Sequence, residues 1–230
     1  MAGAAHAGPT TEQSSCPMLL LKNAEFGTLR ARLPQRSGYG DYMSAWQTVY
    51  TISPSNDSTL ALEVFKTGLM RRKKHILFFE NFAGELSYVR EHPESSRLDI
   101  SIDALSVTCR DQWLKPKQQQ VVTKYARTQA LAADRYPEIR FASTRILAKP
   151  LRGFVVEGVL TLRGTGRNVR VNVVLNPMKR GRFQIDGDAT LRLSDFGIAP
   201  PSMLLGLIGT KDEALLRLLL WATEPVEAHV

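Results

Sequence analysis

Alternation of apolar and polar residues is the feature that most restricts how this chain can fold. From Phe183 to Leu193 every second residue is apolar or small, and the intervening positions are Gln184, Asp186, Asp188, Thr190 and Arg192. A period of two puts one set of side chains on each face of an extended strand, so it predicts a half-buried antiparallel strand. Residues 59–66, 97–104, 154–162 and 169–175 repeat the pattern.

Residues 75–89 are predicted to form one long strand of the same kind. The alternation there puts five large apolar side chains on a shared face: Ile76, Phe78, Phe82, Leu86 and Tyr88. Gly84 lies on the same face.

Turn residues separate these strands, and one segment departs from the alternation. Residues 163–166 (RGTG) predict a short hairpin, and residues 177–181 predict another connection. Residues 116–133 begin with a proline and space Val121, Val122 and Tyr125 as one side of a helix would, so a helix is expected there. Tyr136 and Pro137 then return the chain to a strand.

About eight strands, each with one apolar face, need a common interior. A closed antiparallel barrel provides it and removes exposed strand edges, so we predict an all-β, eight-stranded barrel with one inserted helix. A two-sheet sandwich is the alternative that the period alone leaves open. Eight strands leave an interior that is either filled by side chains or large enough for one small ligand.

The first part of the 230-residue chain lacks this pattern. Residues 1–46 are rich in Ala, Gly, Ser, Thr and Pro, which predicts a flexible extension before a barrel domain at residues 47–225. Two cysteines, Cys16 and Cys109, exclude a disulfide framework. We see neither a secretory signal nor a spanning apolar run, and therefore expect a cytoplasmic protein.

The charge balance favours anionic partners, since the net charge is +8. Four consecutive cations, Arg71, Arg72, Lys73 and Lys74, fall between two strands and are expected in a loop. This loop is either simply solvated or makes peripheral contact with an anionic membrane surface. Nucleic-acid binding is not expected, because the basic residues are not interleaved with exposed aromatic side chains.

Catalytic groups are sparse. His75 is the only histidine inside a strongly patterned segment, where it is either a hydrogen-bonded strand residue or a polar contact in a cavity. Without partners it predicts neither a metal site nor a catalytic base. Asp186 and Asp188 share a strand face that also carries other polar residues, so they are interpreted as solvated rather than catalytic. We expect no cofactor.

Several motifs, in order along the chain, carry a family resemblance. Residues 78–86 (FFENFAGEL) resemble a Phe-x-x-Phe-x-Gly strand, and residues 136–144 (YPEIRFAST) resemble a Tyr-Pro-x-Ile-x-Phe-x-Ser signature. Residues 158–164 (GVLTLRG) and 194–198 (SDFGI) resemble two further elements, and residues 96–107 resemble the intervening strand. Together they resemble the YceI-like, polyisoprenoid-binding, lipocalin-like family.

The resemblance implies an extended lipocalin-like barrel around an apolar tunnel that binds, sequesters or transports a polyisoprenoid or similar amphiphilic lipid, without enzymatic activity. The expected ligand-binding residues are His75, Phe78, Phe82, Ile100, Ile102, Phe141, Phe154, Val156, Leu160, Leu191 and Phe196. Two alternatives remain: a hydrolase or isomerase on the same barrel, and a filled, ligand-free stress-response barrel.

Overall fold

The computed structural model describes residues 47–150, 153–179, 181–203 and 208–224. The predicted extension, residues 1–46, lies outside the described residues, as does residue 225 at the end of the predicted barrel domain. The division of the chain into these two domains therefore stays a prediction.

The described residues form twelve strands and one α-helix. The strands are β1 (Gln47–Ile52), β2 (Thr59–Gly68), β3 (Lys74–Phe79), β4 (Phe82–Val89), β5 (Arg97–Asp103), β6 (Val107–Cys109), β7 (Glu138–Ala148), β8 (Phe154–Leu162), β9 (Thr165–Met178), β10 (Arg182–Arg192), β11 (Ser202–Met203) and β12 (Ile208–Thr223). The helix α1 (Pro116–Tyr125) continues into a π-helical turn, Ala126–Ala130.

Eight of these strands close into an antiparallel barrel. The hydrogen-bonded order is β1-β4-β5-β7-β8-β9-β10-β12, and β12 closes the ring by pairing with β1. One edge of β12 pairs with β10, while the other pairs first with β2 and then, at Ala222 and Thr223, with β1. The predicted eight-stranded barrel with one inserted helix is confirmed, and the sandwich alternative is wrong.

The hairpin between β8 and β9 shows how local sequence sets the register. Its turn residues Arg163 and Gly164 have φ of 51° and 70°, which is the left-handed pair that a two-residue type I′ turn requires. A Cβ at Gly164 would come within 2.8 Å of the Tyr136 ring, so only glycine fits there. The turn aligns Leu162 with Thr165 and thereby fixes which valines of β9 face the interior.

The predicted strand of residues 75–89 is broken in the middle. Phe79 and Phe82 are both buried, although an uninterrupted strand would put them on opposite faces. The two residues between them separate β3 from β4. Glu80 is held outside by Thr108 and Arg110, whose side chains donate to its carboxylate. The hydrogen bond from Thr108, followed by the hydrogen bond and charge of Arg110, lowers the pKa of Glu80.

This break corrects the predicted facing of β3. His75, Leu77 and Phe79 face the barrel interior, so Ile76 and Phe78 lie on the opposite face. The guanidinium of Arg110, itself largely exposed, covers the Phe78 ring at 5.6 Å from its centre. The prediction that Phe78 lines the cavity is therefore wrong.

The helix segment completes the wall beside β6. Strand β6 pairs with β3 at the end of the strand order, and no strand among the described residues pairs with its other edge. Thr123 of α1 accepts the Cys109 N–H at 2.9 Å, and Arg127 of the π-helical turn donates to the Val107 carbonyl at 3.0 Å. These side chains satisfy backbone groups that a neighbouring strand would otherwise pair.

Candidate functional site

The barrel interior contains a central cavity between the inward faces of the strands. Every side chain that lines it is apolar. The lining includes five of the predicted ligand-binding residues: Ile100, Ile102, Phe141, Leu160 and Leu191. They come from strands β5, β7, β8 and β10, so the inward faces of these strands converge on one space.

Two further cavities adjoin the central one. A smaller cavity near Pro93 shares Leu98, Val173 and Ile185 with it, and the predicted residues Phe154 and Val156 line this cavity. Another cavity near α1 shares Leu62, Phe79, Leu131 and Leu162 with it, and His75 lines this cavity. We call the three together the tunnel, with a Pro93 end and a helix end.

The tunnel is long as well as apolar. Strand β8 has nine residues, and its first residue, Phe154, lines the Pro93 end while its last, Leu162, lines the helix end. The usual rise of a strand makes this separation roughly 26 Å. The space is shaped for an extended chain rather than for a compact ligand.

Two predicted residues are buried without lining the tunnel. Phe82 is 5% exposed and borders a surface groove beside Asn81. Phe196 is 3% exposed and packs in the core from a short 3-10 turn, Leu193–Phe196. Both belong to the hydrophobic core around the barrel.

Several lining residues of β12 could not be recognised from the sequence. Leu216, Leu218 and Leu220 line the central cavity, but leucines also occupy positions 215 and 219. Because leucines lie on both faces of this strand, its alternation does not indicate which face is inside. In β9 the alternation does identify the inward face, since the lining residues Val169, Val171 and Val173 alternate with polar residues.

A polar cluster stands at the helix end. The Nδ1 of His75 lies 2.6 Å from Oδ2 of Asp111, whose side chain is 1% exposed. The Ile76 N–H donates to the other carboxylate oxygen at 2.9 Å, and the Cys109 thiol lies 3.3 Å from Oδ2. The sequence predicted no partner for His75. The fold nevertheless places Cys109 and Asp111 beside it, although they lie 34 and 36 positions further along the chain.

Neighbouring groups fix this cluster in place. Trp113 stacks on the His75 ring at 5.3 Å between centres and donates its indole N–H to the Lys74 carbonyl at 3.1 Å. Gln119 of α1 donates to the Asp111 carbonyl at 2.9 Å. Burial, aided by the hydrogen bond and charge of Asp111, raises the pKa of the Cys109 thiol to about 11.

The strand aspartates lie away from the tunnel. Ile185 and Ala189 line the central cavity, so the alternating positions Asp186 and Asp188 face outward. Asp188 accepts a hydrogen bond from Asn172 at 3.3 Å on that surface. This arrangement agrees with their interpretation as solvated strand residues.

The helix end also carries the positive charge of the chain. Residues 64–79 contain five lysines and arginines and residues 112–133 contain four, and neither segment contains an acidic residue. The chain's net charge is +8, so the remainder is close to neutral. The segments meet where Lys73 covers the Trp113 ring at 5.5 Å.

The basic loop is shorter than predicted. Arg71, Arg72 and Lys73 are exposed in the turn between β2 and β3, whereas Lys74 begins β3 and forms an ion pair with Glu63 at 2.8 Å. Leu69 in the same turn is 81% exposed, and Val121 of α1 is 68% exposed. Among the described residues, none of the helices is both long and apolar enough to span a bilayer.

Solved structures share this fold at low sequence identity. BcnA of Burkholderia cenocepacia has a TM-score of 0.60 and 18% identity, over 72% of this chain and 96% of that one. A polyisoprenoid binding domain from Saccharophagus degradans has a TM-score of 0.55 and 13% identity, over 76% and 98%. The Campylobacter jejuni YceI protein has a TM-score of 0.51 and 18% identity, over 65% and 85%.

Curated relatives and the family comparison agree with the structures. UPF0312 proteins of Pseudomonas savastanoi and Pseudomonas syringae are 27% identical over 132 residues, which is 54% of this chain. The matched region spans only 63% of the length of those relatives. The YceI-like domain matches residues 50–217, which cover the barrel from β1 into β12, and the chain therefore belongs to the YceI-like domain family.

Proposed function

We propose that this protein binds a polyisoprenoid or a similar long apolar lipid chain in the tunnel, and sequesters or carries it. The observation that carries the proposal is the predominantly apolar lining of three adjoining cavities that share lining residues. The Saccharophagus degradans domain of the same fold, described as polyisoprenoid-binding, supports this ligand class.

The energetics favour a chain-like occupant. Burial of each methylene group contributes about 0.8 kcal/mol, so a ligand gains affinity in proportion to the length that it buries. The walls offer few polar side chains, chiefly His75 and Thr210 at the helix end and Ser96 at the Pro93 end. Selectivity for such a ligand would come mainly from its length and width.

Native mass spectrometry of the purified protein, with lipid extraction, tests the proposal. We expect a bound lipid in the wild type and its loss in Ala189→Phe, because Ala189 lines the central cavity. The matched control is Thr190→Phe, on the exposed face of the same strand. A filled barrel would show no lipid, and Ala189→Phe would then cost about 1–3 kcal/mol of stability through overpacking.

We further propose that the helix end is the part of the barrel that contacts anionic membranes. The exposed cations Arg71, Arg72 and Lys73 support this, together with the exposed Leu69 and Val121. Cations next to an anionic surface each contribute about 1 kcal/mol, and exposed apolar side chains add burial in the interface. The lipid would then enter and leave the tunnel close to the membrane.

A further inference from the structure

We propose that His75, Cys109 and Asp111 form a binding site for a divalent transition-metal cation of the zinc type. The three side chains offer one nitrogen, one sulfur and one oxygen, and these atoms all lie within 4.8 Å of one another. This site is independent of the lipid ligand proposed above.

The geometry is close to that of a metal site. Bond lengths of about 2.0 Å to nitrogen and 2.3 Å to sulfur put the ligand atoms of a tetrahedral site roughly 3–4 Å apart. The Cys109 sulfur is already 3.3 Å from Oδ2 of Asp111. The Nδ1–Oδ2 distance of 2.6 Å must open, which happens when a metal ion replaces the proton that these two atoms share.

The charges of the three ligand groups and of a divalent cation would cancel, which suits a buried metal site. A thiolate, a carboxylate and a neutral imidazole carry two negative charges, so a divalent cation makes the complex neutral. An isolated charge would be costly in this apolar setting, and a neutral complex avoids that cost. On binding, the thiol proton leaves to solvent, and the proton that Nδ1 shares with Oδ2 is transferred through solvent to Nε2, so that the imidazole stays neutral.

The surroundings already hold the ligand groups as a metal site requires. The Ile76 N–H orients the carboxylate, Trp113 stacks on the imidazole, and the backbone of Cys109 is held by Thr123 of α1. Partners of this kind orient ligands and tune their affinity for the metal.

The donor set also selects the type of cation. Mg²⁺ and Ca²⁺ prefer oxygen ligands, whereas a site with thiolate and imidazole favours Zn²⁺ and similar ions. Three protein ligands leave one position of a tetrahedron for water or for an oxygen atom of a bound molecule. His75 lines the helix end of the tunnel, so the site adjoins the proposed lipid.

The test is titration of chelator-treated full-length protein with Co²⁺ and Zn²⁺. We expect one equivalent of Co²⁺ to produce the near-ultraviolet absorption of a cobalt–thiolate bond, and Zn²⁺ to displace it. Cys109→Ser should abolish this absorption, and His75→Gln should weaken Zn²⁺ binding by more than about tenfold. The control is His92→Gln, since the His92 side chain is exposed, lies outside the cluster and is paired with Glu94 at 3.3 Å.

Absence of the cobalt–thiolate band, or equal Zn²⁺ affinity in His75→Gln and the wild type, would overturn the proposal. A second measurement does not require the site variants to fold. In a Cys16→Ser background Cys109 is the remaining thiol, and Zn²⁺ should slow its alkylation. An alkylation rate that Zn²⁺ leaves unchanged would equally overturn the site.

Discussion

The ring of Phe141 lies directly over Gly158 on the inner wall of the barrel. A Cβ at Gly158 would come within 2.6 Å of Cζ of Phe141 and within 2.5 Å of the Ala142 carbonyl oxygen. Phe141 is 7% exposed and lines the central cavity. The missing side chain at position 158 therefore lets a large aromatic ring lie against the wall instead of across the tunnel.

We predict that Gly158→Ala destabilises the barrel by about 1–3 kcal/mol, because the added methyl group displaces the ring and crowds the β7 backbone. Urea unfolding measures the change in free energy. Gly166→Ala is the control, since its Cβ would come no closer than 3.3 Å to Val159. Equal stability of both variants would show that Phe141 moves at no cost.

Phe154→Trp should lower the amount of bound lipid while the free energy of unfolding changes little. Phe154 is only half-buried and lines the Pro93 end of the tunnel, where a larger ring has space to occupy. In a filled core the same change would cost about 1–3 kcal/mol. Native mass spectrometry and thermal unfolding together distinguish these results, and a loss of stability with no lipid to lose would contradict the tunnel.

Removing the carboxylate at Asp111 should destabilise the protein strongly. Asp111→Ala leaves the Ile76 N–H and the His75 ring without their acceptor in a buried place. Each unsatisfied buried donor costs about 1–3 kcal/mol. Asp57→Ala, in an exposed turn, provides the control for chemical unfolding. A change below 1 kcal/mol would mean that water reaches these donors.

The Cys109 thiol should make stability fall at high pH. Its pKa is raised from 9.0 to about 11 in the folded protein. Between these values the unfolded chain has lost the proton and the folded chain keeps it, so stability is full below pH 9 and declines as the pH rises toward 11. We expect a loss of about 2–3 kcal/mol in metal-free protein, measured by urea unfolding at several pH values.

Cys109→Ala provides the reference for that pH series. Its stability should be lower at neutral pH but should decline less between pH 9 and 11. Parallel curves for the two proteins would assign the decline to other groups, such as the tyrosines and lysines.

Replacing Arg71, Arg72 and Lys73 by Ser should weaken binding to anionic vesicles on the order of 100-fold at low salt, and less at high salt. Vesicle sedimentation measures this. The matched control replaces Arg90, Arg145 and Lys179, which are exposed and lie within four residues of Tyr88, Ile146 and Leu175 at the Pro93 end. An equal loss in both triple variants would point to net charge rather than to a specific membrane-facing end.

Much of the architecture could be predicted because period two is a local property. The alternation in β5, β8, β9 and β10 identified inward faces that meet in the central cavity, and Pro116 marked the start of the helix. The prediction assigned the wrong face of β3 to the interior, because two residues, Glu80 and Asn81, separate β3 from β4, where a single residue would have preserved the alternation.

Alternation, turn residues and motifs within short segments were enough to predict an antiparallel barrel, its inserted helix and a family resemblance, because each of these signals is local. The contact of His75 with Asp111 and Cys109 could not be predicted, because it follows from the arrangement of β3, β6 and the helix segment in three dimensions. The presence of cavities in the interior could not be predicted either. Apolar side chains facing inward are common to filled and empty barrels, and the space left between them depends on the barrel's width and on where each ring lies, as Phe141 does over Gly158.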